Sequence, residues 1–240
     1  MKQIQHFFID ADLAHERVTV REPELLNQMK NVLRFRSGDK VVLLDNRGAR
    51  AEATVETIHS KEAIFTIQKR STFTDTALKI RLFIALPKKP ATLEWIVEKA
   101  TELGVTDIIP MDTARCQVHE LRKLERLQLI IKEAAEQCER IFMPELHGVL
   151  HFNNFIDRCK NGEMNGLLLA GDPWTHDTLL ADVKGLGTES VNIVIGPEGG
   201  LTDDELSAVR EAGGVLFQLG PLVLRMETAA VAALALVTCR

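Results

Sequence analysis

From Ile80 onward, short apolar runs alternate with stretches whose apolar residues recur at helical spacing. I-R-L-F-I-A-L (80–86), D-I-I-P-M (107–111), L-L-L-A (167–170), V-N-I-V-I (191–195) and L-F-Q-L (216–219) have the length and apolar character of buried strands. Helices are predicted between them. They cover 92–103, 120–140, a short stretch around 152–159, the residues after Thr202, and about 227 to the C-terminus. The 120–140 prediction rests on Leu121, Leu124, Leu127, Ile131, Ala134 and Cys138 recurring at helical spacing. This alternation predicts an α/β fold with a mainly parallel sheet and helices on both faces. The residues before it read differently. H-F-F-I, R-V-T-V, K-V-V-L-L, A-E-A-T-V-E-T-I and E-A-I-F-T-I-Q are strand-like runs separated by turn signals such as Ser37-Gly38-Asp39, with one short helix at about 22–33. They predict a small β-barrel. Ser71-Thr72-Phe73-Thr74-Asp75-Thr76 is polar and aperiodic and is the expected linker, giving domains at 1–72 and 77–240.

The run 191–195 stops at Gly196-Pro197, since proline cannot extend a central strand, and Gly199-Gly200 follow. A helix then begins with a complete set of local signals. Thr202 and Glu205 form a capping box, Leu201 and Leu206 a hydrophobic staple, and Asp203 and Asp204 place negative charge at the positive end of the helix dipole. Strand, glycine-rich loop and helix together are where an α/β sheet presents bare backbone to a ligand. A phosphate is the first candidate for a helix N-terminus. The side chains argue against it: the loop has no Lys, neither G-x-x-x-x-G-K-[ST] nor G-x-G-x-x-G occurs there, and Glu198 joins three acids in the first turn. A neutral or cationic ligand is expected. A β-branched residue at Gly199 should conflict with the backbone angles of such a loop.

The same design recurs in L-F-Q-L-G-P-L-V-L-R-M-E-T-A-A (216–230), where Gly220-Pro221 leads into a helix with Ala229, Ala230, Ala232, Ala233 and Ala235. Those alanines follow from helix propensity alone, or from close backbone packing. Gly171-Asp172-Pro173 is a third loop of this type.

Composition narrows the class. The chain has 240 residues, 45% hydrophobic and 26% charged, as a globular protein does. No apolar run resembles a signal peptide or a membrane span, and the four widely spaced Cys have no zinc-ligand pattern. Reduced thiols, a cytoplasmic location and no metal are expected. Net charge is −5, with about +1 in 1–76 and −6 in 77–240, so any basic bias lies near the N-terminus. There Lys30, Arg34, Arg36, Lys40, Arg47 and Arg50 face only Asp39 and Asp45 within one short stretch; on charge alone an ordinary solvated surface is the simpler reading, and the pattern does not by itself establish RNA binding.

I-G-P-E-G-G-L-T-x-x-E followed by L-G-P-x-V-L-R-x-E-T-A resembles the ribosomal RNA small subunit methyltransferase E family, SPOUT-superfamily enzymes. V-L-R-F-R-S-G-D (32–39), W-I-V-E-K-A-T-E-L-G-V (95–105) and E-A-A-E-Q-C-E-R (133–140) extend the resemblance through most of the chain. It implies an N-terminal PUA-like RNA-binding barrel, a C-terminal trefoil knot and a homodimer. It also implies methylation of uridine N3 in 16S rRNA of the small ribosomal subunit, with S-adenosyl-L-methionine as cofactor. The family usually has Arg at Leu222, Thr at Met226 and often His at Gln28.

The resemblance places cofactor contacts at Leu169, Ala170 and Gly171, at Ile195, Gly196, Pro197, Glu198, Gly199 and Gly200, and at Leu219, Gly220 and Pro221. A further group covers Leu224, Arg225, Met226, Glu227, Thr228 and Ala229. Lys30, Arg34 and Arg36 are the RNA-binding candidates. A methyl sulfonium is already activated, so the chemistry calls for alignment and for a group that stabilises the uracil anion or takes its proton. Arg225 is the candidate for the anion; a salt bridge to Glu227 is its simpler reading. Glu198 is the candidate for holding the cofactor or accepting the proton, and its simpler reading is loop-amide satisfaction. Arg140 is a third catalytic candidate, although a cation at a helix end is also structural. His119 and His151 are assigned no role, Trp95 is expected in the core, and Trp174 is expected either near the adenine or in a structural role. Two other readings remain: a SPOUT enzyme acting elsewhere, such as ribose 2′-OH, and a non-catalytic ribosome-assembly factor.

Overall fold

The computed structural model describes residues 4–75, 78–175, 178–186 and 190–238. Thr76 of the expected linker, Ala77 at the expected domain start and Cys239 lie outside the described residues. The chain divides into two compact units, 1–76 with 135–143, and 77–134 with 144–240.

In the first unit, β1 (Gln5–Phe8), β2 (Arg17–Val20), β3 (Lys40–Leu44), β4 (Ala49–Ile58) and β5 (Ala63–Thr72) form one sheet in the order β1-β3-β4-β5-β2. β1 and β3 run parallel and the other neighbours antiparallel. β5 reaches Thr72, so the first two residues of the expected linker belong to a strand. The predicted helix is α1 (Pro23–Asn27), continued by a wider π-type turn over Gln28–Val32. β3 shows why this small sheet holds together. Val41 and Leu43 enter a core with Phe7, Met29 and Phe65, while Val42 and Leu44 point the other way and meet Phe8, Ala135, Ile141 and Met143. Residues 135–143 therefore cover the second face. Polar contacts fasten them: Phe8 N donates to Glu136 Oε1 at 2.9 Å and Met143 N to Asn46 Oδ1 at 2.7 Å.

The second unit holds β6 (Ile80–Ala85), β7 (Asp107–Asp112), β8 (Glu145–Leu146), β9 (Leu150–His151), β10 (Leu167–Gly171), β11 (Val191–Ile195) and β12 (Val215–Phe217). Their order is β12-β10-β11-β6-β7-β8, with β9 also beside β7, and every pairing is parallel. All five residues of β11 are buried, as expected of a strand covered on both faces. The helices are α2 (Pro90–Glu102), α3 (Leu124–Gln137, which ends in the first unit), α4 (Phe152–Lys160), α5 (Asp203–Glu211) and α6 (Met226–Thr238). Phe152, Phe155 and Ile156 of α4 and Val209 of α5 pack on Phe83, Ile109, Ala170 and Val194 of one sheet face. α6 packs against α2 and β11, and its Ala230 and Ala233 are fully buried there.

Two expectations need correction. α3 is shorter than the predicted 120–140, because Lys123 (φ +59°) and Glu139 (φ +62°) both leave the right-handed region. Arg140 N reaches back to Ala135 O at 3.0 Å, closing the C-terminal turn. Trp95 is 42% exposed, not core. The buried stripe of α2 is Leu93, Ile96, Val97, Ala100 and Thr101, and two residues beyond Leu93 is about 200° round the helix.

Candidate active site

β10, β11 and β12 end at Gly171, Ile195 and Phe217. They run parallel, so their following loops emerge at one edge of the sheet, the usual ligand-binding edge of an α/β fold. The loops enclose a cavity of about 610 Å³, walled by residues 171–173, 195–198, 200, 217–220, 222–227 and 229, with Lys89 and Thr92 at the start of α2. That volume lies within the ~300–1,000 Å³ of small-molecule sites. The three glycine–proline loops of the sequence thus share one cavity.

The middle loop folds back tightly. Gly200 N donates to Pro197 O at 2.8 Å, and Gly200 has φ +71°, the left-handed backbone that glycine accepts at least cost. At Gly196 a Cβ would stand 3.0 Å from Leu201 N, tighter than an ordinary contact, so a side chain there would have to push the turn aside. α5 then starts as predicted: Thr202 Oγ1 accepts the Glu205 amide at 3.2 Å and Glu205 Oε2 accepts the Thr202 amide at 2.8 Å. Leu201 is buried and Leu206 packs into the same core. The left-handed position is Gly200, whereas Gly199 has no such φ and lies against the Arg115 side chain.

Sequence periodicity overlooked what holds this loop from outside. Arg115, just after β7, donates from Nη1 to Gly199 O at 2.7 Å and to Leu201 O at 3.0 Å. Its neighbour Ala114 donates its amide to the second oxygen of Glu205 at 2.8 Å. Nothing local could have announced these contacts, which join residues more than eighty positions apart.

Of the expected cofactor contacts, Gly171, Ile195, Gly196, Pro197, Glu198, Gly200, Leu219, Gly220, Leu224, Arg225, Met226, Glu227 and Ala229 line the cavity. Leu169 and Ala170 are buried within β10, and Gly199, Pro221 and Thr228 are outside the lining. The sequence-based set omitted Lys89, Thr92, Asp172, Pro173, Phe217, Gln218, Leu222 and Val223. Phe217 and Gln218 were missed because β12 ends at Phe217, two residues before the predicted end of that strand.

The charged groups differ in setting. Arg225 is exposed on the wall of the cavity, and among the described residues it has no ion-pair partner, Glu227 included. Glu198 is exposed and its Oε1 accepts the Lys88 amide at 3.3 Å. Arg140 does not line the cavity: it belongs to the first unit, its Nε donates to Phe142 O at 2.9 Å, and burial lowers the pKa of its guanidinium. Lys30, Arg34 and Arg36 are exposed on the first unit and in no ion pair among the described residues. Trp174 is 73% exposed beside the first loop, where its amide donates to Asp172 Oδ1.

Among the described residues, one group of acid and imidazole side chains, Asp107, Glu145 and His147, has metal-ligand spacing. Asp107 and Glu145 begin their strands, at the opposite sheet edge from the cavity. His147 Nε2 is already 2.9 Å from Asp107 Oδ1, and Asp107 Oδ2 accepts the Thr106 hydroxyl at 2.7 Å.

Comparison with known proteins decides the family. A family model described as an RNA methyltransferase domain matches residues 74–238, and one described as an RNA methyltransferase PUA domain matches residues 29–68. A ribosomal RNA small subunit methyltransferase E from Bacillus subtilis is 32% identical over 227 residues, covering 90% of this chain and 87% of the relative. The chain belongs to the ribosomal RNA small subunit methyltransferase E family. A member from Neisseria gonorrhoeae, solved bound to S-adenosyl methionine, is 28% identical with a TM-score of 0.84, covering 97% of this chain and 96% of that one. A Legionella pneumophila protein solved with bound SAM is also 28% identical, with a TM-score of 0.86 over 99% of this chain and 98% of that one.

Proposed function

We propose that this protein uses S-adenosylmethionine to methylate N3 of a uridine in 16S ribosomal RNA of the small subunit. The observation that carries the reading is the cavity, three backbone loops at the carboxyl ends of parallel strands. Its charged lining is Asp172, Glu198 and Glu227 against Lys89 and Arg225, an acidic balance that suits a ligand bearing ammonium and sulfonium and disfavours a polyphosphate. The residues present therefore fit the cofactor, which supplies an activated methyl group when bound. The names of the family members support an RNA target, and the SAM-bound relatives support the donor.

The chain's own groups then have defined tasks. The loops at 171, 196–200 and 219–220 bring bare backbone against the donor and exclude water from it. Arg225 offers a cation, unpaired among the described residues, where the uracil acquires negative charge, the kind of stabilisation that needs no reorganisation during reaction. Glu198 holds the cofactor or receives the N3 proton. Residues 1–72 bind RNA as a PUA-like barrel through Lys30, Arg34 and Arg36, and residues 77–240 form the methyltransferase domain. The C-terminal segment forms the trefoil knot; its return from edge strand β12 to pack α6 on α2, the unit's first helix, supports this. Exposed Trp174, Leu222 and Val223 beside the cavity support a homodimer. No described helix is long and apolar enough to cross a membrane. A ribosomal RNA target sets the work in the cytoplasm.

The test is nucleoside mass spectrometry of small-subunit RNA incubated with the protein and S-adenosylmethionine. 3-Methyluridine is expected. A 2′-O-methylated nucleoside, or no product, would overturn the assignment.

A further inference from the structure

We infer that Arg115 is a positioning residue for the cofactor loop, acting through the backbone carbonyls of Gly199 and Leu201; this rests on the reading of the cavity given above. One guanidinium nitrogen, Nη1, carries two hydrogens and meets two carbonyls, at 2.7 and 3.0 Å. Those carbonyls flank Gly200, the left-handed residue of the turn. A glycine-rich segment samples many backbone states when unrestrained, so holding both sides of its least ordinary residue selects one of them. The aliphatic stem contributes as well: Arg115 Cδ and Cβ lie 3.5 and 3.6 Å from where a Gly199 Cβ would stand.

Arg115 can do this because its own base is fixed. Cys116 N donates to Thr113 O at 3.0 Å, and the buried Thr113 and Cys116 side chains meet at 3.3 Å. Ala114 N is held by Glu205, and further along His119 Nδ1 sits 2.8 Å from Asp112 Oδ1. Arg115 does not line the cavity, so its influence on the ligand passes through the loop. In such an arrangement the apparent affinity falls in proportion to the fraction of molecules whose loop is correctly shaped.

The experiment compares full-length wild type with Arg115→Ala and Arg115→Lys. Calorimetric titration with S-adenosylmethionine and steady-state methylation at saturating RNA give Kd, KM and kcat. Amide hydrogen exchange follows 199–201 without ligand. In Arg115→Ala, Kd and KM for the donor should rise about tenfold or more, the scale of lost hydrogen bonds to a charged group. Its kcat at saturating donor should stay within about twofold, because the interaction is equal in ground and transition states. Exchange at 199–201 should quicken, and Arg115→Lys, which keeps a cation and rotatable donors, should recover part of both effects. Unchanged Kd and unchanged exchange in Arg115→Ala would overturn the inference. A fall in kcat with KM unchanged would also do so, by assigning Arg115 to the chemistry. Should Arg115→Ala fail to fold, Arg115→Lys decides: intermediate Kd and exchange support the inference, wild-type values for both oppose it. If the wild type takes up no S-adenosylmethionine, the cavity reading fails, and exchange at 199–201 still decides whether Arg115 orders the loop.

Discussion

Glu205 Oε1 accepts the backbone N–H of Ala114 at 2.8 Å, a contact between residues 91 positions apart. Its other oxygen closes the capping box on Thr202 at 2.8 Å, so one buried carboxylate ties the loop after β7 to the start of α5. Glu205→Ala should cost about 3 kcal/mol, combining a lost cap with a lost charge-assisted bond. In a thermal melt that corresponds to roughly 6–12 °C. Glu205→Gln keeps one acceptor and should lose about half as much. Equal melting temperatures for wild type and Glu205→Ala would show that the contact contributes nothing.

Gly199 and Gly200 are neighbours with different constraints. Gly200 has φ +71°, where a Cβ strains the backbone by about 1–2 kcal/mol. Gly199 has an ordinary φ and the space of a normal contact with Arg115. Gly200→Ala should therefore weaken S-adenosylmethionine binding about tenfold or more while the protein stays folded. Gly199→Ala should bind within about threefold of wild type. Calorimetry on the pair checks the ordering, and a reversed order would contradict the loop geometry.

Arg225→Ala should retain cofactor affinity and lose about 100- to 1,000-fold in kcat, the usual consequence of removing one group that stabilises developing negative charge. Single-turnover methylation with prebound cofactor isolates that step. Wild-type turnover would reduce the residue to a surface cation.

His6 makes the first unit sensitive to acid. Burial lowers its pKa below the usual 6.5, Arg50 adds to this, and Glu139 opposes it without prevailing. Because the unfolded chain then takes up the proton first, stability is fully present above pH 6.5 and declines as pH falls below it. Melting temperatures at about pH 7.5 and about pH 5.5 should differ less in His6→Gln than in wild type. Identical pH dependence in both would rule out His6 as a contributor.

What the sequence displayed was local. The buried run at 191–195, the Gly-Pro breaks and the Thr202–Glu205 box are each written within a few adjacent residues, and the structure has them in place. Features set by distant partners were not legible. Nothing around Arg115 points to Gly199 and Leu201. Residues 135–140 read as the end of a long helix, yet the chain leaves it at left-handed Glu139, and 135–143 cover Phe8, Val42 and Leu44. Trp95 reads as part of an apolar helix face, but the buried stripe of α2 passes on its other side.

The most direct test of the central claim is a calorimetric titration of the purified protein with S-adenosylmethionine, run beside one with ATP. Saturable binding of S-adenosylmethionine, weakened about tenfold or more in Gly200→Ala, with no heat from ATP, is the result predicted. No binding of S-adenosylmethionine together with tight binding of ATP would contradict it.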